Sequence, residues 1–249
     1  MAEDQGDAGT ADLDLSFSKG TLNVRRAQTA PDLAALQALR AQVFRAGHPD
    51  HDAFDAQACH VIIEDASGLL LAGFRLLLIE DAAALHACYS AQSYDLAPLA
   101  QLDMAMLELG RFCVRPGLRD PDVLRLAWAA ITRFGEARGV GLLFGCTSFE
   151  GADWRAHQGA FAHLARHAVG PALLRPRPKA REHVALDAST SNDSATTLPP
   201  LLRSYLGMGG WTSDHAVIDR DLDTCHVFTA LDPAKIPAPR LKALRNLCA

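Results

Sequence analysis

The sequence predicts an α/β sandwich with a mixed central sheet, and three observations carry that reading. Two strand-like apolar runs, 58–65 and 69–80, are joined by the short turn Ala66-Ser67-Gly68, so they form a hairpin and not a βαβ unit. Val123, Leu124, Ala127, Trp128 and Ile131 then recur at helical spacing between two later strands. The second of those strands, 141–149, is nearly all apolar, as a central strand buried on both faces must be. Helix, hairpin, strand, helix, buried strand, helix is a layered arrangement and not a repeating βαβ array.

The elements follow in order. Residues 1–20 are acidic and polar and read as a disordered tail, with 21–26 as a first strand. Pro31 opens a helix that runs to about residue 46, where Gly47 stops it. Residues 48–57 form a polar loop before the hairpin. After strand 107–114, Asp120 caps a helix with Pro121 at its first position. A further helix is predicted over 153–168. The composition then shifts: Arg175, Arg177, Lys179 and Arg181 alternate with prolines and an alanine, and 188–197 is a Ser/Thr/Asn stretch read as a linker or lid. The predicted layout is a core over 21–187 and a C-terminal extension over 198–249, with a short helix and strands at 216–219 and 225–231 packed on that core.

Composition narrows the function. With 249 residues, 49% apolar and 21% charged, the chain has an ordinary globular balance and enough length for a real core. A net charge of −5 and only 6% aromatics argue against a nucleic-acid surface. Six scattered cysteines show no CxxC pair, which favours reduced core thiols. No basic-then-apolar leader opens the sequence and no run of about 18 apolar residues occurs. His163 and His167 are four apart, but residue 164 is Leu, so the HExxH zinc pattern is missing. No GxGxxG or P-loop spacing is present, and no metal is expected.

The chemistry-bearing residues cluster around one strand. Glu108 and Arg111 stand three apart, which on a regular strand puts them on opposite faces unless a bulge intervenes. Arg75 lies in an otherwise uncharged apolar run and needs a carboxylate or an anionic ligand. Arg40, Asp52 and Asp55 are candidates for the same polar pocket. A structural ion network is the alternative reading of all of them.

Several segments, in order, resemble the bacterial ornithine-lipid N-acyltransferase family: LRAQVF (39–44), HDAFDAQACH (51–60), GFRLL (73–77), ELGRFCV (108–114), LLFGCTSFEG (142–151) and LPPLLRSYLGMGG…AVID (198–219). The first half also resembles acyl-homoserine-lactone synthases. The resemblance implies an N-acetyltransferase-like (GNAT) α/β/α fold. It implies transfer of a 3-hydroxyfatty acyl group from acyl carrier protein to an amino acid's α-amine, with ornithine favoured over glutamine. Lactone-synthase-like or coenzyme A-dependent transfer, and a non-catalytic binding role, are the alternatives. The donor would be a thioester on the carrier's phosphopantetheine, with no further cofactor.

In this reading Glu108 is the base and Arg111 joins it in catalysis. Arg75, Arg40, Asp52 and Asp55 bind the acceptor, and Phe112, Cys113 and Val114 line the donor side with backbone N–H groups for the oxyanion. Phe112, Trp128, Phe144 and Phe149 are candidates for an acyl channel. Arg115, Arg119 and Arg125, with Arg175, Arg177, Lys179 and Arg181, would dock the acidic carrier protein. The expected setting is cytoplasmic, with peripheral contact at the inner membrane face.

Overall fold

The computed structural model describes residues 13–189 and 194–248. In chain order the strands are β1 (Phe17–Lys19), β2 (Leu22–Arg26), β3 (Cys59–Asp65), β4 (Leu70–Ile79), β5 (Tyr94–Asp95), β6 (Ala105–Val114), β7 (Val140–Glu150), β8 (Arg177–Pro178), β9 (His183–Ala185), β10 (Trp211–Asp219) and β11 (Thr224–Leu231). The α-helices are α1 (Ala30–Phe44), α2 (Pro121–Ala137), α3 (Gln158–His167), α4 (Pro200–Leu206) and α5 (Ala238–Leu247). The fold class is α/β. The chain divides into two compact units, each made of separate segments: unit 1 holds 1–77, 109–139 and 239–249, and unit 2 holds 78–108 and 140–238.

In unit 1, β1 to β4 pair in sequence order, each antiparallel to the next. The hairpin turn between β3 and β4 is closed by Asp65, whose Oδ1 accepts from the Ser67 amide and hydroxyl and from the Leu69 amide. Gly68 takes the left-handed conformation this turn needs (φ +82°). Helix α1 starts at a reciprocal cap: the Thr29 hydroxyl accepts from the Asp32 amide, and Asp32 accepts from the Thr29 amide. Leu36 and Leu39 of α1 pack with Ile62 and Cys113. Helix α2 is capped by Asp120 and buries Val123, Leu126, Ala127, Ala130, Ile131 and Phe134 at helical spacing.

In unit 2, β7 lies between two neighbours. It runs parallel to the start of β6, with Glu108 opposite Phe144, and antiparallel to β11 from Leu143–Leu231 to Glu150–Thr224. β10 follows β11, and β9 pairs with β10. This combination of parallel and antiparallel pairs makes the sheet mixed. The β10–β11 register shifts between Thr212 and Ala216. There the Ser213 hydroxyl donates to the His215 carbonyl and accepts from the Phe228 amide, satisfying groups the interrupted ladder would leave bare.

The structure revises the layout in four places. The predicted tail ends earlier, because Phe17–Lys19 pair with β2; its residues 1–12 lie outside the described residues. Of the predicted linker, 190–193 lie outside them too, and Ala195–Thr197 form a 3-10 turn. The C-terminal third is not an extension packed on a finished core. Strands β10 and β11 complete the sheet of unit 2, since the largely buried β7 needs a hydrogen-bonding neighbour on each side. The helix predicted over 153–168 is split, with a 3-10 turn at Trp154–His157 before α3.

Candidate active site

Unit 1 gathers Arg40, Asp52, Asp55, Arg75 and Arg111, and adds Asp50. Arg40, fully buried on α1, donates Nε to Asp50 at 2.8 Å and Nη1 to Asp55 at 2.7 Å. Arg75 on β4 reaches Asp55 at 2.8 Å and grips both oxygens of Asp52. Arg111 reaches Asp50 at 3.1 Å and Asp52 at 3.3 Å. Arg45, at the end of α1, adds a fourth cation 3.5 Å from Asp50, so four guanidiniums surround three carboxylates. Burial pushes the Asp50 and Asp55 carboxyls up, but the guanidiniums outweigh it; Asp55 is held at about 2. Burial also opposes the Arg40 charge, and its two aspartates overcome that and raise it. His60, whose Nε2 lies 2.9 Å from the Asp55 carbonyl, is pushed down by burial and stays neutral.

Backbone geometry fits these side chains together. Gly110 is bare because a Cβ there would stand 3.1 Å from Arg75 Nε. Arg111 itself takes a left-handed φ of +49° within β6. That conformation is costly for a side-chain-bearing residue and breaks the strand's alternation, so the opposite-face expectation for a regular strand does not hold past this point. Two rings flank the network, with Phe54 under Arg75 and Phe44 under Arg111.

Glu108 belongs to unit 2. It is buried and accepts from two successive backbone amides, Ser90 at 2.6 Å and Tyr89 at 3.0 Å. Cys88 lies close by, and burial, together with the Glu108 charge, raises its thiol so that it stays protonated. Ser90 Oγ is 3.5 Å from Cys146 Sγ. Cys113, in unit 1, is likewise raised by burial, to about 12. Neither Cys88 nor Cys113 has the environment of a thiolate nucleophile.

The remaining predicted residues divide clearly. Phe112 stacks on Phe74, Cys113 is buried with its thiol toward the Gly73 carbonyl, and Val114 is half-buried. Trp128 packs in the core of α2; Phe144 stacks on Phe228 and Phe149 meets Phe161 edge-on, so these three are core side chains in place of the predicted channel wall. Arg115 spends Nε on the Leu70 carbonyl, Arg125 pairs with Asp122, and Arg119 is exposed. Arg175 pairs with Asp214, Arg177 lies 3.7 Å from Asp95, Lys179 donates to the Ala91 carbonyl, and Arg181 is exposed. Asp50 is the carboxylate that sequence reasoning missed. Its signal was its place two residues before Asp52 in the same polar loop.

Comparison with known proteins places the fold and the family. Residues 36–129 match the family described as Acetyltransferase (GNAT) domain, a span that includes Arg40, the aspartate loop, Arg75, Glu108 and Arg111. A solved GNAT-like decarboxylase, GphF in complex with isobutyryl-CoA, shares the fold at 19% identity and a TM-score of 0.51, over 84% of this chain and 98% of that one. The L-ornithine N(alpha)-acyltransferase of Brucella abortus is 29% identical over 87% of this chain and 86% of its own. That of Rhodobacter capsulatus is 31% identical over 84% of this chain and 89% of its own. A GNAT fold and this identity over most of both chains lead to one conclusion: the protein is an acyltransferase and belongs to the L-ornithine N(alpha)-acyltransferase family.

Proposed function

We propose that the protein moves a 3-hydroxyfatty acyl group from acyl carrier protein to the α-amine of ornithine, forming a lyso-aminolipid. The observation that carries the acceptor assignment is the uneven burial of the ion network. Asp52 is 22% exposed and Arg45 23%, while the other five side chains are between 1% and 8%. Arg111 reaches Asp52 at 3.3 Å, farther than Arg40 lies from Asp50 or Asp55. An α-amino acid brings a carboxylate and an ammonium on one carbon. Its carboxylate takes the Arg111 fork and its ammonium takes Asp52, exchanging a loose internal pair for two intermolecular ones. Arg75, bound to both oxygens of Asp52 and to Asp55, positions that loop and does not itself clamp the acceptor.

The α-amine must shed a proton before it attacks the thioester carbonyl. Glu108 accepts that proton, and its two amide partners hold the carboxylate in place. The N–C bond forms and the C–S bond breaks; of the two protons that the nitrogen gives up, one leaves with the carrier thiolate, whose ordinary pKa near 8.5 makes a strong acid unnecessary, and the other is released through Glu108 to solvent. Backbone N–H groups at Cys113 and Val114, past the left-handed turn at Arg111, serve the oxyanion. Arg119 and Arg125 meet the acidic carrier. The protein works in the cytoplasm, at the inner membrane face where its product partitions. Among the described residues no helix is long and apolar enough to cross a membrane.

Purified protein incubated with 3-hydroxyacyl carrier protein and either ornithine or glutamine, followed by mass spectrometry, tests the assignment. The expected product is the N-acylated ornithine, with acyl-coenzyme A a much poorer donor. Acylation of glutamine alone, or equal use of both donors, overturns it.

A further inference from the structure

The 171–181 segment of unit 2 carries a feature that acyl transfer does not use. Leu173 is 79% exposed, while the other exposed large apolar side chains, Val43, Leu69 and Met104, lie between 37% and 46%. Single exposed apolar residues are common on protein surfaces, so exposure alone decides nothing. The surroundings of Leu173 are specific. It stands on a turn closed by Leu174 and Arg175 amides donating to the Pro171 carbonyl, and the Gln101 amide donates to the Leu173 carbonyl at 2.8 Å. Downstream, β8 pairs with β5, and the Lys179 and Ala180 amides donate to the Ser93 carbonyl. The leucine is therefore presented outward by a braced backbone.

The charges beside it suit a lipid surface. Arg177 is 73% exposed and only loosely paired with Asp95, at 3.7 Å. Lys179 donates to a carbonyl, which leaves its positive charge uncancelled. Arg181 is exposed, and the adjoining Glu182 is neutralised by Arg220 at 2.7 Å. Arg175 is the member consumed internally, by Asp214. An outward leucine and three cations on the same braced segment supply the two signals of peripheral membrane binding, an apolar side chain for the acyl boundary and positive charge for anionic headgroups. An acidic carrier protein would use the cations but leave the leucine in water.

We propose that the Pro171–Arg181 turn docks the protein on an anionic bilayer, with Leu173 entering the headgroup–acyl boundary and Arg177, Lys179 and Arg181 over the lipid phosphates. The test is flotation of the full chain with vesicles of phosphatidylcholine alone or mixed with phosphatidylglycerol, without any acyl-transfer reaction, so that it can fail independently of the proposed activity. Binding should require phosphatidylglycerol and weaken with salt. Leu173→Ser should lower the partition coefficient about tenfold, and Arg177→Gln with Arg181→Glu should lower it at least as much by roughly fivefold per charge removed. Leu69→Ser, at an exposed leucine of unit 1, should change nothing. Wild-type binding that ignores the lipid charge overturns the proposal, as does a Leu173→Ser variant that binds like wild type. So does a charge variant that keeps vesicle binding but raises the KM for acyl carrier protein, which would make this turn a carrier-protein site.

Discussion

The two units bury polar groups by opposite means. Unit 1 buries full charges and cancels them pairwise, Arg40, Arg75 and Arg111 against Asp50, Asp52 and Asp55. Unit 2, apart from the Glu108 carboxylate held by two backbone amides, buries neutral groups that exchange hydrogen bonds: Tyr94 with His226, Thr147 with Thr229, and Ser213 with the β10–β11 backbone. An ion network tolerates the loss of a member badly, because the partner left behind remains charged and desolvated. A neutral network loses one hydrogen bond at a time. Unit 1 is therefore the more brittle of the two towards single substitutions.

Removing a charge from unit 1 should have the largest effect. Arg40→Ala leaves Asp50 and Asp55 without their shared partner and should cost about 3–5 kcal/mol of stability, read as a lower midpoint in chemical denaturation. A change below about 1 kcal/mol would show that the network is worth no more than a surface pair.

Glu108 tests the same contrast in catalysis. Glu108→Gln keeps an acceptor for the Ser90 or Tyr89 amide but no longer takes a proton. Turnover should fall roughly 10²–10⁴-fold while circular dichroism stays native. A folded Gln variant of full activity would leave Glu108 as a brace for residues 89–90 alone.

Acid acts on buried histidines and carboxylates in two pH windows. Burial lowers His226 from 6.5 to about 4, so the unfolded chain binds its proton first. Stability therefore declines as pH falls from 6.5 towards 4, by up to about 3 kcal/mol from this residue. Asp55 is lowered from 3.8 to about 2, so its contribution is present above 3.8 and is lost as pH falls to about 2. Buried His60 adds to the upper window from unit 1. His226→Asn, which keeps an acceptor for Tyr94, should flatten the stability profile between 6.5 and 4; an unchanged slope would assign that window to His60 and His215, which burial also lowers.

The smallest effect expected is at Gly110. Gly110→Ala crowds Arg75 Nε and should cost about 1–3 kcal/mol by overpacking, with a raised ornithine KM as Asp52 shifts. An unaltered KM would uncouple Arg75 from the acceptor.

Much of this was legible in the sequence because it was local or strongly patterned. The capped helix after Asp120, the 66–68 hairpin turn and the apolar strand β7 each announce themselves within a few residues. The clustering of Arg40, Asp52, Asp55 and Arg75 was legible because charges in apolar runs need partners. Two things were not. Helix α5 has few apolar positions and a weak periodicity, and only Leu244 is fully buried. The left-handed φ at Arg111 leaves no trace in composition, since the residue type disfavours it; the neighbouring network holds it there.

The division of the chain has a consequence for its birth on the ribosome. β7 finds its antiparallel neighbour in β11, and unit 1 takes in 239–249 together with its first 77 residues. Synthesis therefore releases β7 long before its partner strand exists, and each unit waits for chain made near the end. Nascent protein stalled before residue 224 would carry an open, apolar strand edge, the kind that recruits other chains. Trimming from the C-terminus would reach unit 1 first, through 239–249, and unit 2 only from residue 238 inward, so serial deletion should lose structure in two steps.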